Sequence, residues 1–310
     1  MLFSLAIFSL TSTSVSADKQ SWKNFFQPLP DSLIDVSNPT TKAQVELGKK
    51  LFMDPILSTA KDISCNSCHG LNTYGVDNQP TSTGHKGKHG DRNSPTVFNA
   101  ALHIAQFWDG RAKDVEEQAL GPVMNPVEMA MPSEDVVVKR LTSAKDYQEL
   151  FKKAFPDEAK PLSFTNMGKA IGAFERTLLT PSRFDDFLKG NDDALSPEEK
   201  KGGETFADAG CVACHSGVTL GGHMYQKLGL VHPYETEDTG RQKVTNKETD
   251  KYFFKVPSLR NITKTGPYFH DGGVKTLKEA VKLMAYHQLG KDLSDDEVSS
   301  IITFLGSLEG

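Results

Sequence analysis

The sequence predicts a mainly α-helical protein of two related domains with long loops, and three observations support this. Helix-capping signals recur along the chain, while alternating strand patterns are scarce. Short motifs also return in the same order and at the same spacing in both halves, which indicates an internal repeat. With 310 residues, 37% of them hydrophobic and 24% charged, the chain is long enough for two globular domains.

Helix starts are marked by three capping boxes. Ser196, Thr276 and Ser294 are each followed three residues later by a glutamate, a pattern that satisfies the free amides of a first helical turn. Apolar residues at helical spacing follow Ser294. Residues 164–179 predict one long helix that ends at the Thr-Pro pair after them.

All four cysteines fall in two Cys-x-x-Cys-His runs, so none is left for a disulfide or a separate thiol site. The following histidine distinguishes c-type haem attachment from a thiol-redox pair. The two sulfurs form thioethers to the porphyrin, and the adjacent imidazole becomes the proximal iron ligand. The sequence therefore predicts two covalent haems c, attached at Cys65, Cys68, Cys211 and Cys214, with His69 and His215 as iron ligands.

The repeat is centred on these two runs. Pro95 and Phe107 in the first half match Pro257 and Phe269 in the second, with the same spacing within each pair. Duplication of a single-haem unit explains the match. We therefore expect two cytochrome c-like haem domains, with a signal peptide over residues 1–17, an N-terminal domain over 18–185 and a C-terminal domain over 186–310.

The amino terminus is typical of a secretory leader. A short apolar run is followed by a small-x-small site that ends at Ala17, although no Lys or Arg precedes the run. An uncleaved anchor, or a start codon placed too late, stays open as an alternative. Because haem is attached to such motifs outside the bacterial cytoplasm, we expect a periplasmic protein. The net charge of −5 argues against a nucleic-acid partner.

The ligand opposite each proximal histidine decides whether an iron passes electrons or binds peroxide. For the second haem the candidate is Met284, which could equally be a core residue on an amphipathic helix. Tyr286 and His287 are nearby competitors. For the first haem, a Gly-rich loop offers His85 and His89, either of which could simply be a solvated surface residue.

Further motifs accompany the two haem sites, at residues 47–52, 90–96, 106–111, 126–129, 266–272 and 284–290. With these motifs the chain resembles the bacterial di-haem cytochrome c peroxidases over nearly its whole mature length. The resemblance implies that His85 is the displaceable sixth ligand of a low-potential N-terminal haem. It also implies that Met284 ligates a high-potential C-terminal haem, and it leaves His89 and His103 with structural or surface roles.

The resemblance implies an enzyme that reduces hydrogen peroxide. A small soluble cytochrome c or cupredoxin would reduce the haem ligated by Met284, and this reduction would release His85 so that peroxide can bind. Glu128 would transfer a proton between the peroxide oxygens, from an apolar setting that should raise its pKa. Gln118 would orient the peroxide, Trp108 would lie on the electron path, and His270 would bond a haem propionate.

The resemblance also implies one Ca²⁺ between the domains, at Asn93, Thr265 and Pro267, whose oxygen ligands suit a hard cation. A homodimer is a further expectation. Two alternatives stay open: a di-haem electron carrier without catalysis, and an oxidase that matures a protein-derived tryptophan cofactor. The oxidase would be supported if Tyr286 rather than Met284 ligated the high-potential iron.

Overall fold

The computed structural model describes residues 21–33 and 40–310, so the predicted signal peptide over residues 1–17 lies outside the described residues. The described chain is mainly α-helical, as predicted, and short 3-10 turns interrupt its long loops. Its α-helices are α1 (Lys42–Met53), α2 (Cys65–Cys68), α3 (Val115–Met124), α4 (Glu134–Thr142), α5 (Lys145–Ala154), α6 (Phe164–Glu175), α7 (Arg183–Leu188), α8 (Pro197–Ala209), α9 (Gln242–Thr245), α10 (Leu277–Leu289) and α11 (Asp295–Gly306). Two short strands, β1 (Tyr225–Lys227) and β2 (Phe253–Lys255), pair in antiparallel orientation. None of the helices in the described ranges combines the length and apolar character that a membrane span needs.

The predicted helix starts are confirmed. Ser196 and Ser294 precede α8 and α11, each in a reciprocal capping box with the glutamate three residues later. Thr276 caps α10, because its side chain accepts a hydrogen bond from the amide of Glu279. Local sequence signals therefore determine where these three helices begin.

The long helix predicted over residues 164–179 is shorter than expected. It is α6, which ends at Glu175. Beyond it, the amide of Thr180 donates to the side-chain oxygen of Asn99 at 3.0 Å, instead of to a helical carbonyl. A contact with a distant loop therefore replaces the last helical turn.

Two apolar cores are present. Helices α1 and α3 to α6 build the first core around residues such as Leu51, while α7, α8 and α11 build the second around Phe304. Trp22 and Phe26, which precede the first core in sequence, pack in the second core. The sequence did not predict this contact, and the domain boundary at 185/186 stays a prediction.

Equivalent helix pairs are packed closely in both halves. Helix α1 crosses α6 at Gly48, where an added Cβ would lie 1.8 Å from the carbonyl oxygen of Ala170. Helix α8 crosses α11 at Gly202, where an added Cβ would lie 2.2 Å from the carbonyl oxygen of Ser300. Each of these glycines is followed four residues later by a phenylalanine, Phe52 in the first half and Phe206 in the second. The internal repeat of the sequence is therefore accompanied by the same close helix crossing in both halves.

Gly48→Ala should lower the free energy of unfolding by about 2 kcal/mol, because the added methyl group overlaps the Ala170 carbonyl and forces α1 away from α6. Chemical denaturation followed by circular dichroism measures the change. Gly306→Ala is the matched control, since a Cβ there would meet no atom within 4 Å. Equal stability of the two variants would show that the close helix crossing is not required.

Candidate active site

The second Cys-x-x-Cys-His run opens onto a cavity of about 230 Å³, which is lined by Cys211, Cys214, His215 and Met284 among others. The Nδ1 atom of His215 lies 3.0 Å from the carbonyl oxygen of Leu220. Because a carbonyl only accepts, Nδ1 holds the proton and the lone pair on Nε2 is free for a metal. Burial lowers the pKa of His215 to about 4, which keeps the ring neutral. These residues fit a haem held by His215 and Met284.

The two competitors of Met284 are engaged outside this cavity. The ring of Tyr286 is stacked on His232, with centroids 4.4 Å apart, and Tyr286 is 42% exposed. The Nδ1 atom of His287 lies 2.9 Å from the carbonyl oxygen of His232. Since Met284 lines the cavity, this placement favours Met284 over Tyr286 as an iron ligand.

The first run forms the short helix α2, and His69 follows as its C-terminal cap. Burial raises the pKa of Cys65 to about 12 and that of Cys211, in the second run, to about 11. Burial also raises the pKa of Cys68 and lowers that of His69. Thiol-redox pairs need the opposite shift, because the thiolate is the nucleophile. The cysteine environments therefore disfavour thiol-redox chemistry and suit haem attachment, while the neutral imidazole of His69 suits an iron ligand.

Backbone contacts bring His85 next to Glu128. The amide of His85 donates to the carbonyl oxygens of Val127 and Glu128, both at 2.8 Å. An added Cβ at Gly84 would lie 2.1 Å from the Val127 carbonyl oxygen, so this approach requires glycine. At Gly90 an added Cβ would meet nothing within 4 Å. The loop is therefore packed closely against Val127 at Gly84, whereas a side chain at Gly90 would have open space.

The carboxyl group of Glu128 lies half-buried near the first cysteine pair, and its charge acts on both Cys65 and Cys68. Burial raises the pKa of Glu128, although Arg111 and a hydrogen bond act to lower it. The bond comes from Asn125 Nδ2, 2.7 Å from the carboxylate. The pKa shift has the direction that the sequence predicted, and it suits a group that gains and loses a proton.

Other residues at the first site are less directly connected. Gln118 lies half-buried on α3, and among the described residues no hydrogen bond links its side chain to Glu128. Glu175 on α6 was not among the predicted site residues, yet it is buried and its charge acts on Cys65. Burial raises the pKa of Glu175 to about 8. A lone carboxylate inside the apolar stretch 164–179 was the signal that could have identified it.

Trp108 and His270 lie where the two halves meet, and both line the cavity. The indole Nε1 of Trp108 donates to the carbonyl oxygen of Asn93 at 2.9 Å. His270 is buried, with its Nε2 atom 3.1 Å from the hydroxyl of Thr236. The two ring centroids are 6.5 Å apart. Trp108 is thus held at the cavity of the second Cys-x-x-Cys-His run by the segment that contains Asn93.

The three residues predicted to bind calcium, Asn93, Thr265 and Pro267, all line the same cavity. The Nδ2 atom of Asn93 donates to the carbonyl oxygen of Gln79 at 2.9 Å. This bond does not use the side-chain oxygen of Asn93. The available donors are neutral oxygens, which is the chemistry that a hard cation requires.

A cluster of ion pairs crosses between the halves beside these residues. The guanidinium of Arg92 lies 2.6 Å from the carboxylate of Asp109 and 2.6 Å from that of Asp238. Lys243 approaches Asp238 to 3.0 Å. The side chains of Arg92 and both aspartates are largely buried, so the cluster holds the segment before Asn93 in place.

Comparison with known proteins identifies relatives of this chain. The model of the family described as di-haem cytochrome c peroxidase matches residues 42–193. The chain is 50% identical to the cytochrome c551 peroxidase of Pseudomonas aeruginosa, over 92% of this chain and 84% of that protein. It is 46% identical to the cytochrome c551 peroxidase of Nitrosomonas europaea, over 99% and 90% of the two chains. Among solved structures, a MauG-like protein associated with microbial copper homeostasis is similar with a TM-score of 0.80 and 28% identity, over 91% of this chain and 93% of that chain.

Met284→His should lower the midpoint potential of the second haem, because a thioether favours reduced iron more than an imidazole does. A spectroelectrochemical titration measures this potential. Tyr286→Phe is the control and should leave the potential unchanged, since Tyr286 is stacked on His232 outside the cavity. A shift in the control, together with an unchanged potential for Met284→His, would assign the ligand to Tyr286.

Proposed function

Because the chain belongs to the di-haem cytochrome c peroxidase family, we propose that it reduces hydrogen peroxide to water with electrons from a small soluble redox protein. The observation that supports this most directly is the pair of hydrogen bonds from the His85 amide to the carbonyls of Val127 and Glu128. These bonds hold His85, the proposed displaceable ligand, next to Glu128, whose pKa is raised, beside the first Cys-x-x-Cys-His run. The two haems of the family supply a site that binds peroxide and a site that stores an electron.

The residues divide between an electron-accepting site and a peroxide site. Cys211, Cys214, His215 and Met284 would hold the high-potential haem, and Cys65, Cys68, His69 and His85 the low-potential haem. Trp108 would carry electrons between the two haems. It belongs to the N-terminal half of the chain, yet it lines the cavity of the high-potential site. His270, buried in the same cavity, would bond a haem propionate.

Proton transfer is assigned to Glu128. Its carboxylate takes a proton from one peroxide oxygen and returns it to the other as the O–O bond breaks, so that water rather than hydroxide leaves. Two electrons and two protons in total convert one peroxide into two waters. The raised pKa of Glu128 suits this role, because a carboxyl group of ordinary pKa would release its proton too readily at neutral pH. Gln118 would orient the peroxide by hydrogen bonding.

Activation is assigned to the loop of His85. Reduction at the Met284 site would favour release of His85. Such a change from order to disorder in a short segment is a recognised class of switch. Backbone hydrogen bonds hold His85 against Val127 and Glu128, and a movement of this kind would break them.

Electron entry is assigned to an exposed apolar surface next to α10. Leu230, Val231 and Tyr286 are 54%, 50% and 42% exposed. The amide of Val231 donates to the carbonyl of His287 at 2.9 Å, which attaches this surface to the helix of Met284. Exposed apolar patches of this kind mark interaction sites, so a small cytochrome c or cupredoxin would dock here.

Three further expectations belong to the same proposal. A Ca²⁺ ion would bind at Asn93, Thr265 and Pro267 and would stabilise the arrangement of the two halves. The protein would act in the periplasm. It would also form a homodimer, as the family resemblance implies.

A cofactor-maturing oxidase is the second candidate, given the similarity to a MauG-like structure. The placement of Tyr286 on His232, outside the cavity that Met284 lines, favours the peroxidase. A di-haem electron carrier would keep both irons six-coordinate at all redox states. The packing of the His85 loop beside a proton-transferring carboxyl group favours catalysis over simple electron transfer.

Glu128→Gln should lower kcat for peroxide by about 10²- to 10⁴-fold, because the amide cannot move the proton, while both haem spectra stay nearly unchanged. Steady-state oxidation of a reduced electron donor measures the rate. Glu134→Gln is the control, since Glu134 is an exposed residue at the start of α4. Full activity of Glu128→Gln would remove this residue from the mechanism.

Gly84→Ala should increase the fraction of the first haem that is high-spin in the oxidised protein. The added Cβ would overlap the carbonyl of Val127 and weaken the anchoring of His85. Electron paramagnetic resonance during a reductive titration measures the spin states. Gly90→Ala should behave like the unaltered protein, which should become high-spin only when half reduced. If neither haem iron becomes high-spin in any variant or redox state, the proposed release of His85 is wrong.

A further inference from the structure

Two equivalent backbone hydrogen bonds cross the interface between the halves, one donated by each half. The amide of Asn93 donates to the carbonyl of His270, and the amide of Lys255 donates to the carbonyl of Trp108, each at 2.7 Å. Asn93 and Lys255 stand two residues before the matching prolines of the repeat, and Trp108 and His270 follow the matching phenylalanines. Asn93 and Lys255 are therefore equivalent positions, one with an amide side chain and the other with an ammonium group.

The side chain of Lys255 is a buried cation without a carboxylate partner. Lys255 is 6% exposed, and its Nζ atom lies 3.3 Å from Nδ1 of His103. No Asp or Glu of residues 21–33 and 40–310 forms an ion pair with it. Burial lowers its pKa to about 8, which still leaves it mostly charged at neutral pH. A buried charge of this kind is strongly unfavourable unless an opposite charge approaches it.

The contact with Lys255 also determines the tautomer of His103. An ammonium group only donates, so Nδ1 accepts and the ring proton resides on Nε2. Nε2 is buried and has no hydrogen-bond partner in the structure. The ammonium group and the imidazole thus both have N–H groups that lack an acceptor. Two N–H donors of this kind are what a carboxylate-binding site requires.

The location of the pair identifies the carboxylate. His103 and Lys255 line the same cavity as Cys211, His215 and Met284. We propose that Lys255 Nζ and His103 Nε2 bind a propionate of the haem attached at this second run. The inference rests on the haem attachment in the proposed function and extends it to residues that the sequence analysis left unassigned or gave a structural or surface role.

The repeat relates this pair of residues to the pair proposed for calcium. His103 is the positional equivalent of Thr265, just as Lys255 is that of Asn93. Asn93 and Thr265 are the residues proposed above for calcium. One half of the interface therefore offers neutral oxygens to an exchangeable cation, and the other half provides a fixed ammonium group.

Two consequences follow for electron transfer. A positive charge beside the propionate favours the reduced haem, since reduction adds negative charge to the site. The backbone amide of Lys255 also donates to the carbonyl of Trp108, so the same residue would contact both the haem propionate and the backbone of Trp108.

The test uses the purified holoprotein and the midpoint potential of the haem ligated by Met284. Lys255→Met should shift the ratio of oxidised to reduced haem at a fixed potential about tenfold toward the oxidised form, which is about 59 mV for one electron. Lys255→Arg should retain most of the original potential because it keeps the charge. Lys227→Met is the matched control: Lys227 is in the paired strand β1 but is exposed, so its variant should leave the potential unchanged.

If Lys255→Met binds less haem, His103→Phe provides a second variant. It should shift the midpoint potential in the same direction but by a smaller amount. Haem content per chain confirms that each variant is loaded. An unchanged potential in loaded Lys255→Met, or an equal shift in Lys227→Met, would overturn the proposal.

Titrations at low and high acetate distinguish the source of the carboxylate. A propionate is covalently part of the haem, so the potential should not depend on acetate. A potential that changes with acetate in the unaltered protein, but not in Lys255→Met, would assign the site to a free carboxylate instead. Because none of these measurements uses peroxide turnover, failure of this proposal can be told apart from failure of the proposed enzyme activity.

Discussion

The paired backbone hydrogen bonds between the halves are the constraint on which the rest of the structure depends. One joins Asn93 to His270 and the other joins Lys255 to Trp108. Backbone bonds do not depend on side-chain identity, so a duplicated unit keeps this interface while its side chains diverge. The result places residues of both halves around one cavity, which neither half would line alone. The same interface contains Thr180, whose hydroxyl accepts a hydrogen bond from the side-chain amide of Asn99 and another from that of Asn261, at 2.8 and 2.9 Å.

Divergence at equivalent positions explains how two similar haem motifs can serve unequal roles. The aromatic ring of Trp108 corresponds to the imidazole of His270, and the amide of Asn93 corresponds to the ammonium of Lys255. A fixed cation favours the reduced state of a nearby haem, whereas neutral oxygens favour a bound metal ion. The asymmetry that an electron-transfer enzyme needs is therefore built on a symmetric backbone.

Features that short stretches of sequence encode were predictable, and features that depend on distant contacts were not. The helix start at Ser196 and the raised pKa of Glu128 followed from immediate neighbours in the chain. The packing of Trp22 in the second core did not, because an aromatic residue near the amino terminus carries no signal of which core it joins. Lys255 escaped notice for a related reason: most lysines are exposed, and only the fold shows that this one is buried against His103.

The anchoring of His85 connects loop opening to the position of Glu128. Its amide bonds to the carbonyls on both sides of the Glu128 Cα, so displacement of His85 would remove two contacts from the backbone that holds this carboxyl group. A neutral hydrogen bond stabilises a folded protein by only about 1 kcal/mol, so anchoring of this kind favours the closed loop by about 1–2 kcal/mol. In the proposed switch, that margin would keep the loop closed most of the time, and a modest change in ligand preference at the haem would reverse it. Weak anchoring would be required in the proposed switch, because a loop held by buried ion pairs such as those of Arg92 would not open.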